Sequence, residues 1–318
     1  MTNKRRKKTR PAPPPSGYRD PKPASPAPKR GILDSVFAPR VPGSTSMPRI
    51  RTALTRGVVT VLGTPVLVIA PILYVLVVWL VLIAVGYQGP FAPLANLLAL
   101  PPIGTSLDAT LATSLFGLQG GLFGIIIFLV IRAIALALLT AAVVEALEDG
   151  VVTRACLRRG LRVLPVTFAI CIIGVGILTV SSFFGPLLGP GFGILLQVGA
   201  LVIGLYLFAF APVIAVDEGR TMPDSLARSI RAARIPGTGN LTLAALYVVP
   251  SIAVIVAPGE PGSLMGVNPS IAAWVFVLLI DLLHVVLLAT FAFRYLSVAH
   301  EVPEAPVRPP ASAGRGRR

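Results

Sequence analysis

The sequence predicts an all-α integral membrane protein with six transmembrane helices, arranged as three hairpins that each follow a short amphipathic cytoplasmic helix. Three observations lead to this prediction: an apolar composition, six long apolar stretches flanked unevenly by basic residues, and a motif that recurs before alternate stretches. Of the 318 residues 54% are hydrophobic and only 13% are charged, whereas soluble domains carry about 25% charged residues. Most of the apolar surface is therefore expected to face lipid or neighbouring helices.

The apolar stretches are long enough to be membrane spans, since a transmembrane helix needs about 20 apolar residues. They lie at about 57–86, 119–147, 162–184, 192–216, 240–257 and 270–297. The fifth is the shortest and contains Pro250, so it is expected either to span fully or to re-enter partly. Together they define a membrane domain at 47–300. The flanking segments 1–46 and 301–318 are basic and rich in proline, which predicts disordered cytoplasmic tails.

The connecting segments assign the orientation. The segments 87–118, 185–191 and 258–269 contain neither Lys nor Arg, whereas 148–162 and 217–236 each contain four arginines. Because basic residues stay on the cytoplasmic side, the second and fourth connections and both basic tails are predicted to be cytoplasmic. The chain is therefore expected to be multi-pass, with both termini inside.

Charge and motifs narrow the class of protein. The net charge is +15, but 14 of the 28 basic residues precede Val58 and most of the others flank apolar stretches. This distribution favours anionic lipid headgroups over nucleic acid as the partner. Two histidines and the isolated Cys156 and Cys171 offer too few ligands for a metal site. No HExxH, GxSxG or phosphate-binding glycine motif is present, so neither an enzyme nor a cofactor is predicted.

An internal repeat precedes the first, third and fifth stretches. Residues 53–58, 156–161 and 225–230 share the pattern small–Leu–x–Arg–small–aliphatic. Upstream of the last two copies, an acidic pair and a glycine correspond at 148–150 and 217–219. The repeat predicts three related units, each with a basic amphipathic helix before a two-helix hairpin.

These basic helices are predicted to lie in the inner membrane interface. In the third copy, Leu226, Ile230 and Ala233 form an apolar stripe at helical spacing, which leaves the arginines free to reach headgroups. The predicted headgroup contacts are Arg158, Arg159, Arg162, Arg228, Arg231 and Arg234.

The end of the fourth stretch also carries a resemblance. Residues 212–219 (PVIAVDEG) and 223–229 (PDSLARS) resemble a bacterial group of six-helix membrane proteins related to the membrane domain found beside some glycerophosphodiester phosphodiesterases. The resemblance covers roughly 47–300 and implies a six-helix fold in a membrane. The phosphodiesterase activity is not implied, because no soluble phosphodiesterase domain is present.

Charged residues inside the apolar stretches form the candidate site. Arg132 and Asp281 are predicted at similar depths near the membrane midplane, and His284 follows Asp281 by one helical turn. Burying such groups is costly unless they pair or are hydrated. Three interpretations remain open: an interhelical ion pair that fixes packing, a polar site for a substrate or a proton, or no pairing between Arg132 and Asp281.

Two functional hypotheses follow. The first is a protein that binds or transports a lipid-like or other amphiphilic small molecule. The second is a non-catalytic accessory or scaffold protein that organises a complex, through a protein partner or a homo-oligomer, or a patch of anionic lipids. Abundant Arg, Ala, Val, Gly and Pro beside few Lys residues predicts a bacterial protein of the plasma membrane.

Overall fold

The computed structural model of the protein describes four stretches of the chain. They comprise residues 47–84, 129–235, 239–256 and 271–299. The predicted tails and the predicted outer loop 87–118 lie outside these residues. Within the four stretches the regular elements are helices and none is a strand, which confirms the all-α class.

Nine helices lie in the described residues. They are α1 (Ile50–Gly63), α2 (Pro65–Ala84), α3 (Leu129–Glu148), α4 (Ala155–Leu188), α5 (Pro190–Phe208), α6 (Ala211–Glu218), α7 (Met222–Ala233), α8 (Asn240–Val256) and α9 (Ile271–Leu296). Three segments of the described residues are long and apolar enough to cross a membrane: Leu129–Glu148, Val198–Glu218 and Leu278–Leu296. Ile50–Gly63 together with Pro65–Val77 makes a fourth if this bent pair is one span.

The first predicted span, 57–86, is not one straight helix. α1 and α2 meet at an angle of 79°, and the break falls at Thr64, whose backbone is extended (φ −117°, ψ 98°). Gly63 is a poor helix former, and a residue that precedes proline is driven out of the helical region. The Gly63-Thr64-Pro65 sequence therefore separates α1 from the helix that follows it.

The second copy of the repeat departs from the predicted short helix followed by a span. Its basic segment and the following apolar stretch form the single helix α4, which is 34 residues long. Here Pro165 follows Val163 and Leu164, so no Gly-Thr pair precedes the proline. In the third copy α7 is a separate helix of 12 residues, as expected.

Local geometry supports the correspondence between the second and third copies. The glycine after each acidic pair has a left-handed backbone, with φ 74° at Gly150 and 63° at Gly219, and each glycine lies just after a helix end. The helices α4 and α7, which follow these glycines, each donate a side-chain hydrogen bond to a carbonyl of an earlier helix; the two acceptors are 69 residues apart and the two donors 73. These hydrogen bonds run from Cys156 Sγ to the Leu138 carbonyl (3.6 Å) and from Ser229 Oγ to the Leu207 carbonyl (2.7 Å).

A fully buried arginine connects the first described residues to the last helices. Nη1 of Arg294 in α9 donates to the carbonyl oxygen of Pro48 at 2.9 Å, and Nη2 donates to Oδ1 of Asn240 at 2.7 Å. Asn240 in turn donates to the carbonyl oxygen of Ala233 at 3.3 Å. The segment before α1, the end of α7 and the start of α8 therefore meet at one side chain.

α1 packs closely against α9 at Gly57. A Cβ added there would lie 2.6 Å from Thr290 Oγ1 and 2.8 Å from the carbonyl oxygen of Val286.

We expect Gly57→Ala to destabilise the protein by about 1–3 kcal/mol, because an added methyl group must push the two helices apart. Thermal unfolding of the purified protein in detergent measures this loss. Gly63→Ala in the same helix is the control, since a Cβ at Gly63 meets nothing within 4 Å; an equal fall for both variants would contradict the packing.

Candidate functional site

The three residues predicted at the midplane lie together in the interior. Arg132 of α3 is 3% exposed, and Asp281 and His284 of α9 are 0% and 1% exposed. A fourth residue, Tyr247 of α8, completes the cluster: its ring centroid lies 5.1 Å from that of His284, and the charges of Arg132 and Asp281 both act on it. Sequence reasoning missed Tyr247, because a tyrosine in an apolar stretch is unremarkable.

A void of about 10 Å³ lies beside Tyr247, with Thr140, Thr167 and Phe291 among its lining residues. A cavity of this size holds about one water molecule. The described residues beside Tyr247 therefore leave room for about one water, which favours the interpretation that the cluster of Arg132, Asp281, His284 and Tyr247, the predicted midplane cluster, fixes helix packing.

A much larger cavity lies elsewhere, between α2, α3 and the start of α4. Its volume is about 540 Å³ and its walls are almost entirely apolar. Leu73 and Val77 of α2 line one side and Ile131 and Ala135 of α3 line the other. This volume falls within the usual range of about 300–1,000 Å³ for small-molecule sites. We refer to it as the α2–α3 groove.

The α2–α3 groove is long and has a polar end. Its lining extends over 66–77 on α2 and over 131–142 on α3, so each wall is about 16 Å long at 1.5 Å per residue. At the end formed by the α3–α4 connection, Thr153 and Arg154 join the lining. The groove is therefore apolar along its length and basic at one end.

Glu145 fixes the polar end of the groove. Its side chain is buried, Oε1 accepts a hydrogen bond from Thr153 Oγ1 at 2.7 Å, and Oε2 accepts one from the Thr153 backbone N–H at 3.0 Å. Both carboxylate oxygens thus hold the residue before Arg154. Burial, and secondarily the nearby Glu145 carboxylate, raise the pKa of the Cys156 thiol, which also lines the groove.

The arginines predicted to contact headgroups fall into three groups. Arg158, Arg159 and Arg162 of α4 are exposed, although Arg159 also pairs with Glu148 at 3.4 Å. Arg231 and Arg234 are partly exposed. The exposed and partly exposed positions are compatible with the prediction.

The prediction is wrong for Arg228, which is 4% exposed and turned into the bundle. Its Nε lies 2.7 Å from Oε1 of Glu218 and 3.1 Å from the hydroxyl of Tyr295, and Nη2 donates to the carbonyl oxygen of Ala299 at 2.9 Å. Glu218 also accepts hydrogen bonds from Tyr295 and Arg220.

Arg228 is buried because α7 packs against the bundle through a different face from the one predicted. The helix buries its small residues and Arg228 (Ser225, Arg228, Ser229, Ala232 and Ala233), whereas Leu226 and Ile230 of the predicted apolar stripe are only partly buried. Small side chains let α7 approach its neighbours, so Arg228 reaches Glu218 instead of the headgroups. Glu218 and Tyr295 were not singled out from the sequence, although the acidic–glycine element contains Glu218.

No group of three or more His, Cys, Asp and Glu residues is placed to hold a metal ion in the part of the chain that the structure describes. Comparison with protein families, curated proteins and solved structures finds no match to this chain. The described features are those of an all-helical chain with several helices that could span a membrane, and they are compatible with a membrane protein.

Proposed function

We propose that the chain is a multi-pass protein of the bacterial plasma membrane that binds, or transports, a lipid-like amphiphilic molecule. In this proposal α4 and α8 supply the third and fifth of six spans, the spans form three hairpins, and both termini are cytoplasmic. The connections without Lys or Arg support this orientation. The proposal includes a relationship to the six-helix membrane proteins that the 212–229 segment resembles.

The α2–α3 groove is the observation that carries the proposal. An amphiphile needs an apolar channel for its chain and a polar end for its head, and the groove provides both, with Arg154 at the polar end. With the proposed orientation, the α3–α4 connection is cytoplasmic, so the polar end opens at the inner face of the membrane.

The length of the groove agrees with this placement. Its walls are about 16 Å long, close to half of the hydrocarbon thickness of about 30 Å. A chain in the groove would therefore extend from the inner interface to about the midplane. This distance equals the depth to which an acyl chain of one leaflet extends into the membrane.

Filling the groove tests the proposal. Leu73 and Leu76 of α2 have similar exposure, 54% and 50%, but Leu73 lines the groove and Leu76 does not. We expect Leu73→Trp to remove most of the amphiphile that co-purifies with the protein in mild detergent, and Leu76→Trp to leave it in place, because only the first indole occupies the groove. Mass spectrometry of the extracted small molecules measures the difference. A wild-type protein without bound amphiphile, or equal retention by both variants, would contradict the proposal.

The accessory or scaffold role remains the second candidate, and one observation favours it. On α4 the exposed arginines Arg158 and Arg162 stand beside Leu157 and Leu161, which are 55% and 53% exposed. Such a face suits the inner membrane interface or a partner helix. If the protein acts as a scaffold through this face, Leu73→Trp should not affect its function. The variants Leu73→Trp and Leu76→Trp therefore separate the two functions.

A further inference from the structure

We propose that the α2–α3 groove selects a lipid with a phosphate-bearing headgroup, which Arg154 and Arg158 bind at the cytoplasmic end while the acyl chain lies between α2 and α3. This inference rests on the proposed function and specifies its ligand. It depends on the position of the two arginines relative to the groove and on the state of the acidic residues around them.

The two arginines are placed to act on one headgroup. Arg154, the residue before α4, lines the groove directly, and Arg158 of α4 follows it by four residues, about one helical turn, which brings the two side chains within reach of one headgroup. Between them, Leu157 also lines the groove, which places the start of α4 beside the apolar channel. Both arginines are exposed and therefore accessible to a ligand.

Of the carboxylates near the mouth of the groove, Asp149 is exposed to solvent, whereas Glu145 and Glu148 are engaged elsewhere. Glu145 accepts two hydrogen bonds from Thr153, and Glu148 pairs with Arg159. Among the described residues, no carboxylate forms an ion pair with Arg154 or Arg158. Arg154 at the mouth of the groove and Arg158 one helical turn farther along are therefore both available to an anion.

The chemistry of guanidinium selects the kind of anion. Its planar fork of N–H donors binds phosphate oxygens in pairs, and such charge-assisted hydrogen bonds are stronger than neutral ones. The apolar walls exclude a ligand that is only an anion, because a free phosphate would leave the channel unfilled. A phosphorylated lipid of the inner leaflet satisfies both parts of the groove.

An introduced thiol reports occupation of the groove. Leu157 is exposed and lines the groove, so Leu157→Cys places a reactive cysteine at its mouth. The native cysteines are both buried, and the raised pKa of Cys156 leaves little thiolate, so they contribute a slow background. The full chain is reconstituted in phosphatidylcholine vesicles, and maleimide labelling of Leu157→Cys is followed while a probe is added.

Three probes separate the parts of the inference: a lysophosphatidate, a monoacylglycerol with the same chain, and inorganic phosphate. We expect the lysophosphatidate to protect the thiol at a concentration about tenfold lower than the monoacylglycerol, and inorganic phosphate to give no protection. Adding Arg154→Gln and Arg158→Gln should abolish this preference and leave protection by the monoacylglycerol unchanged. Arg159→Gln, at the residue that pairs with Glu148, is the matched control and should retain the preference.

The outcomes distinguish the inference from the function on which it rests. Equal protection by both lipids, unaffected by the two glutamines, overturns the phosphate inference but keeps the amphiphile site. Protection by neither lipid overturns the proposed function as well. Protection by inorganic phosphate alone would show a site for a soluble anion and would also overturn the inference.

Discussion

Replacing Arg228 with leucine is expected to lower the thermal unfolding temperature of the purified protein strongly, whereas Arg231→Leu in the same helix changes it little. Arg228 is almost fully buried and binds Glu218, so its loss leaves a carboxylate that is mostly shielded from water without its main cation. Removing one partner of a buried ion pair costs about 3–5 kcal/mol. Because Glu218 keeps 16% of its side-chain surface exposed and retains Arg220, the lower end of this range is expected.

The two variants can be compared by fluorescence-monitored unfolding in the same detergent. Both remove one positive charge from α7 and add the same side chain, so the change in net charge is the same in the two variants. If the six predicted headgroup arginines were equivalent, the two unfolding temperatures would be the same. A smaller effect for Arg228→Leu than for Arg231→Leu would show that the buried network does not stabilise the fold.

For the midplane cluster, we expect Arg132→Leu and Asp281→Leu to be severely destabilising alone and much less so together. Each single variant leaves the opposite charge buried, at a cost of about 3–5 kcal/mol, while the double variant leaves neither. The yield of monodisperse protein and its unfolding temperature measure the coupling between the two sites.

The double variant also separates the interpretations of this cluster. If the cluster fixes packing, the protein with Arg132→Leu and Asp281→Leu should fold and retain its co-purifying amphiphile, because neither residue lines the α2–α3 groove. A double variant that folds but loses the amphiphile would favour a ligand site at the midplane. If the destabilisation of the double variant equals the sum of those of the two single variants, the two charges do not interact.

Charged residues in apolar stretches made the midplane cluster predictable. Arg132, Asp281 and His284 stand out because the six apolar stretches contain few other charged residues, and helical spacing then puts Asp281 and His284 on one face. Tyr247 could not be found in this way, since tyrosine is common in membrane helices. Its place beside His284 depends on how α8 packs against α9.

The burial of Arg228 was harder to predict, because periodicity offers two faces on α7. Hydrophobicity favours Leu226 and Ile230, but small size favours Ser225 and Ser229, and the structure buries the small face. In a bundle that is surrounded by lipid, leucine and isoleucine lose little by facing outward, and close approach of helices depends on small residues. The serines around Arg228 were therefore the better signal.

The α2–α3 groove could not be predicted from the sequence. Its lining comes from three segments, at 66–77, 131–142 and 152–157, whose residues are ordinary apolar side chains of membrane helices. Only the angle and separation of α2 and α3 leave a gap between them. Such a gap is a property of long-range packing and has no local sequence signature.

The contact of Arg294 with Pro48 sets an order for assembly during translation. The two residues are 246 positions apart, so α1 cannot dock against α9 until nearly all of the described chain has been synthesised. At about 5–20 residues per second, α1 waits about 12–50 s for its binding partner. Docking of α1 is consequently a late step in biogenesis. A chain that stops before α9 leaves the amphipathic helix α1 without its packing partner and exposed to the quality-control proteases of the cell.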